Sequence, residues 1–357
     1  MRLAIIAITK HGVGHAMKLR AAMPDAALFV SEKQKADGQD NARYFGTIKD
    51  LTAEIWETYE GIVYIVSLGA VVRTIAPFLK NKDVDPAVIV VDDACRFAIS
   101  VLSGHVGGAN EATEAVAKAL GATAVITTAS DVRATIPVDI LGRELGWVLE
   151  DKANVTPVSA AVVNDKPVSF IQECGEKNWW TRPQPLPKNI TVVGSIAEAP
   201  PAEAYLLVSD RATELLKAEL ATVWDKVVIY RPKTLSLGMG CDFGADLEEL
   251  EGLVDSTLLE AGLSKKCVRG LASIDIKERE EALLQLAEKL GVGIDFFTRD
   301  ALNARGTIST PNPVVEKYTG AVGVSEPSAM LAAGTATLLV AKHKSKRATL
   351  AVARKEF

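Results

Sequence analysis

Short apolar runs recur along this chain, and most of them lead into a stretch patterned for a helix. In the first 150 residues they are "RLAIIAIT" (2–9), "AALFV" (26–30), "GIVYIVS" (61–67), "AVIVVDD" (87–93), "FAISVLS" (97–103) and "TAVITT" (123–128). These runs are rich in β-branched residues and apolar on both faces. That is the signature of strands covered by helices above and below. Helical patterns over 13–23, 47–59, 70–79 and 108–120 lie between several of them. Alternation of this kind builds βαβ units and a mostly parallel sheet.

The texture changes around residue 150. "RPQPLPKN" (182–189) and "EAPPAEA" (198–204) are proline-rich connections, and "PVSFIQE", "ITVVGSI", "AYLLVSD" and "KVVIYRP" are shorter strands with fewer helices between them. From residue 234 the alternation returns. "LSLGMGC" reads as a strand, followed by a helix that stops at Gly262, the strand "CVRGLASID", a helix over "KEREEALLQLAEKLG", the strand "GIDFFT" and a helix over "VSEPSAMLAAG". The closing "ATLLVAKHKSKRATLAVAR" reads as a hairpin. The fold class expected is α/β: two α/β domains with mainly parallel sheets (1–134 and 231–357) flanking a small α+β middle domain (135–230).

With 357 residues the chain is long enough for two or three domains with cores of their own. Its net charge of −5 argues against a general nucleic-acid binder. No apolar stretch reaches the roughly 18 residues of a membrane span, and the first residues lack a leader's cleavage pattern. The four cysteines are far apart and form no CxxC pair. A cytoplasmic protein with reduced thiols is expected.

Six segments carry residues suited to chemistry, and each has a plain structural reading beside it. In "SGHVGGANEAT" (103–113), Ser103, Gly104, His105, Gly107, Gly108 and Asn110 combine a titratable imidazole with backbone free of side chains at a helix start. This is a site for a close-approaching ligand or a glycine turn with Asn110 as cap. Gly69 opens a helix after a strand, and Arg73, read in the first helical turn, opposes the helix dipole and suits a carboxylate ligand. Asp92 and Asp93 end a buried strand, as paired carboxylates or as turn residues. Gly238 and Gly240 in "LGMGC" form only a fragment of a dinucleotide fingerprint, and Cys241 reads as a structural thiol. Ser273, Asp275 and Lys277 gather at a strand end, as ligand contacts or as a capped helix start. Glu326 follows Ser325, which reads as an N-cap, and faces either a pocket or the helix's own first turn.

Five quoted stretches carry a family resemblance. "SLGAVVRTIAPFLKNKDVDPAVIVVDDACRFAISVLSGHVGGANEAT", followed by "AVITTASD", resembles the N-terminal region of the cobalamin biosynthesis protein G family. "LGMGCDFGAD", "ASIDIKEREEALLQLA" and "YTGAVGVSEPSAMLAAG" are similar to its C-terminal domain, with a variable domain between. One departure is Val314 after "TPNP", where a serine would start the next helix, so a cap is moved or lost.

The resemblance implies hydrolysis of the ring A δ-lactone of cobalt-precorrin-5A, with acetaldehyde leaving and cobalt-precorrin-5B formed. It implies no protein-held cofactor, since cobalt arrives in the substrate. It also implies a cobalt-corrinoid partner. Handover to other enzymes of the pathway and a homodimer are open expectations beside it, and charge and hydropathy speak against nucleic acid and a membrane as partners. Against that chemistry the residues take expected roles: His105 as general base oriented by Asp92 or Asp93, backbone at Gly104, Gly107 and Gly108 approached by the substrate, and Arg73 and Lys277 holding its carboxylates. A non-catalytic corrinoid carrier is the competing reading.

Overall fold

A computed structural model describes residues 1–36, 39, 41–305 and 313–357. By its internal contacts the chain divides into two compact units, Met1–Ile140 and Leu141–Phe357.

The first unit is built on seven strands: β1 (Leu3–Ala7), β2 (Ala27–Ser31), β3 (Ala42–Phe45), β4 (Gly61–Ile65), β5 (Ala87–Val91), β6 (Phe97–Leu102) and β7 (Thr123–Val125). Their order is β3-β2-β1-β4-β5-β6-β7, and every pairing is parallel except β5 with β6. Helices α1 (Lys10–Ala22), α2 (Ile48–Ile55), α3 (Leu68–Ile75), α4 (Ala109–Leu120) and the short α5 (Ala129–Val132) complete it. The strands are apolar on both faces because both are covered. Ile5, Val30, Val63 and Ile89 pack with α1 and α4, while Ile6, Phe29, Tyr64 and Val90 pack with α2 and α3. Strand order reverses beside β1: the chain runs out through β2 and β3, then returns to place β4 on the other side. The crevice between β1 and β4 is therefore a topological switch point.

Two features of this unit were hidden in the sequence. Strand β3 is one, being short and only partly buried. The other is the direction of β6. Asp92 accepts the backbone N–H of Phe97 at 2.6 Å, and Cys95 takes a positive φ of 56°. That tight turn sends β6 back antiparallel to β5, so the loop that follows residue 102 lies at the opposite edge of the sheet, the other end of the strands, from Asp92.

The second unit holds two sheets. One comprises β8 (Val148–Leu149), β9 (Val168–Gln172), β10 (Ile190–Val193), β11 (Ala204–Val208) and β12 (Val227–Arg231), in the order β10-β9-β11-β12-β8, with helices α6 (Val155–Val163) and α7 (Thr213–Glu219). All its pairings are parallel except β12 with β8, so the middle segment is α/β rather than α+β. Short crossovers with few helix signals had suggested the other class.

The other sheet comprises β13 (Leu235–Cys241), β14 (Val268–Ile274), β15 (Gly293–Phe297), β16 (Val340–Lys344) and β17 (Ala348–Arg354), in the order β15-β14-β13-β17-β16. Helices α8 (Leu247–Glu260), α9 (Glu281–Leu290), α10 (Arg299–Ala304), α11 (Pro313–Thr319) and α12 (Ser325–Ala333) accompany it. The β16–β17 hairpin forms as read, and it makes half the sheet antiparallel: mixed, not mainly parallel. The "TPNP" loop and the side chain of Val314 lie outside the described residues.

The two sheets of this unit are joined by charge. Arg354 binds Asp210 through two hydrogen bonds of 2.7 Å, and Lys266 reaches Glu150 at 3.0 Å. Arg231, wholly buried, is satisfied by Glu150, the carbonyls of Ser209 and Arg211, and Thr213. Among the described residues no helix is long and apolar enough to cross a membrane.

Candidate functional site

The glycine-histidine loop after β6 is a self-contained turn. Ser103 adopts a positive φ of 58° and donates to the carbonyl of Asp85 at 2.8 Å. A Cβ on Gly107 would stand 2.4 Å from that of Ser103, and one on Gly104 would stand 2.8 Å from Oδ1 of Asn110. Gly108, at φ 79°, is the N-cap of α4. These glycines are demanded by the turn itself, which accounts for them without a ligand. Asn110 is not the cap. From the first turn of α4 it accepts from Ser100 at 2.7 Å and donates to Thr128 at 3.0 Å and Asp131 at 2.8 Å.

His105 projects into a cluster of acids from the following segment. Its Nδ1 lies 3.0 Å from Asp139 Oδ1, and its Nε2 lies 3.1 Å from both Asp131 Oδ2 and Ser130 Oγ. The hydrogen bond from Asp131, then that from Asp139, push the imidazole up to about 9 against the opposing effect of burial. Burial works to raise Asp139, but the hydrogen bond and charge of His105 hold it below the usual carboxylate range. With a carboxylate on each ring nitrogen, the histidine is a doubly donating imidazolium at neutral pH. Carboxylates on both ring nitrogens speak against the expected role of His105 as general base. Nor do Asp92 and Asp93 orient it, because they lie at the other edge of the sheet. The partners it does have are 26 and 34 residues away in sequence. The only signal for one of them was the "TTASD" that follows β7.

At that other edge Asp92 serves the β5–β6 turn. Burial raises its carboxyl, but the N–H groups of Phe97, Arg96 and Ala94 outweigh that and hold it low. Asp93, exposed on the turn, accepts a hydrogen bond from the hydroxyl of Thr9. Gly69 and Arg73 also lie near this edge, on α3. The helix begins at Leu68, one residue before Gly69, so Arg73 sits in its last turn, where a cation favours the helix dipole, and its Nη1 reaches the Gly69 carbonyl at 3.3 Å. The electrostatic oddity expected of Arg73 is absent.

In the second unit several expected contacts prove to be packing. A Cβ on Gly238 would come 1.9 Å from the carbonyl oxygen of Ser325, so that glycine lets α12 lie on β13. A Cβ on Gly240 would meet Thr349 Oγ1 at 2.9 Å. Ser273 is buried and donates to the Met239 carbonyl at 2.7 Å. Ser325 is inside α12 rather than its cap, and the buried Glu326 accepts the N–H of Lys342 at 3.1 Å. Asp275 accepts the N–H of Ile276, its neighbour. Lys277 remains at the strand end, paired with Glu280 at 2.9 Å and 5.5 Å from the exposed ring of Phe243. Glu280, which the sequence reading missed, also holds the N–H of Gly244 at 2.9 Å. Burial pushes the Cys241 thiol up to about 11, as suits a structural cysteine.

Comparison with known proteins covers nearly the whole chain. Residues 50–131 match the model described as Cobalamin synthesis G N-terminal, 136–232 that of the Cobalamin biosynthesis central region, and 235–353 that of the Cobalamin synthesis G C-terminus. The chain is 47% identical over 355 residues to the cobalt-precorrin-5A hydrolase of Priestia megaterium, spanning 98% of this chain and 94% of that one. It is 30% identical to the enzyme of the same name from Salmonella typhimurium, over 92% and 91% of the two chains. Among solved structures, a putative cobalamin biosynthesis protein G homolog from Sulfolobus solfataricus aligns over 99% and 97% of the chains, with 22% identity and a TM-score of 0.37. On the near-full-length identity and the three matched segments, the chain belongs to the cobalamin synthesis G family.

Proposed function

We propose that this protein is a cobalt-precorrin-5A hydrolase that releases acetaldehyde. The observation that carries the reading is the 47% identity over 98% of the chain to a hydrolase of that name. Water adds to the carbonyl carbon of the ring A δ-lactone, and the bond from that carbon to the ring oxygen breaks, giving a carboxylate and an alcohol. The alcohol then becomes the carbonyl of acetaldehyde as its carbon–carbon bond to the macrocycle breaks. The electron pair and the alcohol's proton stay with the macrocycle. Cobalt is part of the substrate.

Such chemistry needs a base for water, a proton for the leaving oxygen, and cations for the substrate's acetate and propionate groups. The exposed Arg73 and the Lys277 ammonium supply charge of the right sign in their respective units. His105 keeps a place in the proposal with its role changed: a protonated imidazole can donate a proton or anchor segment 130–139, but it does not accept one. All four cysteines are free thiols, which accords with a cytoplasmic setting. Handover of the corrinoid within the pathway and assembly as a homodimer belong to the same proposal.

The test is anaerobic incubation of purified protein with the lactone-bearing cobalt precursor, followed by mass spectrometry and an acetaldehyde assay. Ring opening with stoichiometric acetaldehyde is expected. Binding without acetaldehyde would make the protein a corrinoid carrier instead.

A further inference from the structure

The first unit has a second cluster, at the edge of the sheet away from His105. Strands β1, β4 and β5 end in register, with Ala7 beside Ile65 and Ile65 beside Val91. Two residues further along each strand come Thr9, Ser67 and Asp93. The Thr9–Asp93 hydrogen bond reaches across the end of β4. It therefore lies over the switch point between β1 and β4, where ligands of open α/β sheets bind.

The hydroxyl of Thr9 is fixed at both ends. It donates its proton to Oδ1 of Asp93 and accepts the N–H of Gly12 at 2.9 Å. Gly12 keeps it in place, because a Cβ there would stand 2.8 Å from Thr9 Oγ1 and 3.3 Å from the side chain of Ile65. One oxygen of Asp93 is thus oriented by the protein while the exposed carboxylate can meet water through the other. The neighbouring surface suits a large polycarboxylate with apolar edges. Lys10 and His11 in the first turn of α1 and Arg73 on α3 are exposed. Leu68 and Val72, four residues apart on α3, stay 40% and 48% exposed, although the rest of that helix buries Val71 and Ile75. The other titratable candidates of this unit are committed elsewhere: Asp92 to its turn, and His105 to Asp131 and Asp139.

We infer that Asp93 is the general base of lactone opening, in the crevice between β1 and β4, and that Thr9 is its positioning residue. The inference rests on the function proposed above. In the step, the Asp93 carboxylate takes one proton from water as the water oxygen bonds to the lactone carbonyl carbon. The bond from that carbon to the ring oxygen breaks, and the departing oxygen takes up the proton.

The experiment compares acetaldehyde release and corrinoid binding, followed by the visible spectrum, in wild type, Asp93→Asn, Asp93→Glu, Thr9→Val and Thr9→Ser. A positioned base contributes about 10²–10⁴-fold. Asp93→Asn should lose that much in kcat with its spectral titration little changed. Asp93→Glu, which keeps a carboxylate on a longer arm, should recover part of it. Thr9→Val should lower kcat by about tenfold or more at unchanged KM, and Thr9→Ser should restore it, since serine keeps both hydrogen bonds. A loss caused only by the helix cap would appear in the melting temperature and leave kcat alone. If wild type opens the lactone and Asp93→Asn or Thr9→Val turns over within threefold of it, this inference fails while the proposed function stands. If wild type releases no acetaldehyde, both fall. If Asp93→Asn does not fold, the two Thr9 variants decide the matter.

Discussion

A histidine between two carboxylates behaves differently from a histidine beside one. In a catalytic pair the second ring nitrogen is left open to exchange protons. Here Asp131 and Asp139 occupy both, and Ser130 adds a hydroxyl. Lys82 contributes positive charge near Asp139. The folded-state value of His105, about 9, lies above its unfolded value near 6.5. Its contribution to stability is thus fully present below the unfolded value and is lost as pH rises through 9. The size implied is about 3 kcal/mol. Asp139 works at the other limit: held low, it contributes above its unfolded value and stops doing so as acid protonates it. Between pH 7 and 10 the wild-type melting temperature should therefore fall. His105→Gln, which removes the charge and keeps an amide donor, should melt lower at pH 7 and show a much flatter slope up to pH 10. Calorimetry of both proteins across that range checks this, and parallel slopes would show that the cluster is not an ion lock.

At the scale of elements, the sequence carried the presence of strands and helices and lacked their direction. Runs such as "GIVYIVS" and "AVIVVDD" are apolar on every position because both faces are covered, and that is visible without coordinates. Whether β6 runs with β5 or against it depends on a five-residue turn, and no periodicity reports it. This hid the fact that His105 and Asp93 lie at opposite edges. The glycines show the same limit. "LGMGC" looks like ligand-approach glycine, but Gly238 is there because backbone of α12 lies against it. Gly238→Ala would put a methyl 2.5 Å from the Ala329 nitrogen as well as 1.9 Å from the Ser325 oxygen. Neither atom is a side-chain tip that can swing aside, so α12 must shift. A loss of about 1–3 kcal/mol is expected by denaturant titration. Gly14, inside α1 with nothing within 4 Å of a Cβ, is the contrasting case. Gly14→Ala should gain about 0.5–1 kcal/mol from helix propensity alone.

For the whole molecule, the question is how many cooperative pieces 357 residues make. The sequence, read by texture and proline content, suggested three. The contacts give two, because the sheets of residues 148–231 and 235–354 are tied into one unit. The tie is polar. Asp210 is 1% exposed and sits at its centre, accepting twice from Arg354 and once from Thr234 at 2.9 Å, while its backbone carbonyl accepts from Ser264. Thr234 and Arg354 come from opposite ends of the segment that follows, so this acid gathers the start of β13 and the end of β17. Removing one member of such a pair strands the other without its counter-charge, which costs about 3–5 kcal/mol. Arg354→Met keeps the apolar stem and deletes the charge. It should destabilise the second unit by that order and separate its transition into two, an earlier one for one sheet and a later one for the other. Asp210→Asn in the same background should recover part of the loss, because the buried charge is gone and an amide still accepts from Thr234. A single transition for Arg354→Met, displaced by less than about 1 kcal/mol, would mean that apolar packing alone holds the two sheets together. Hydrogen exchange resolved by segment would then show both sheets opening at one free energy in wild type and variant alike.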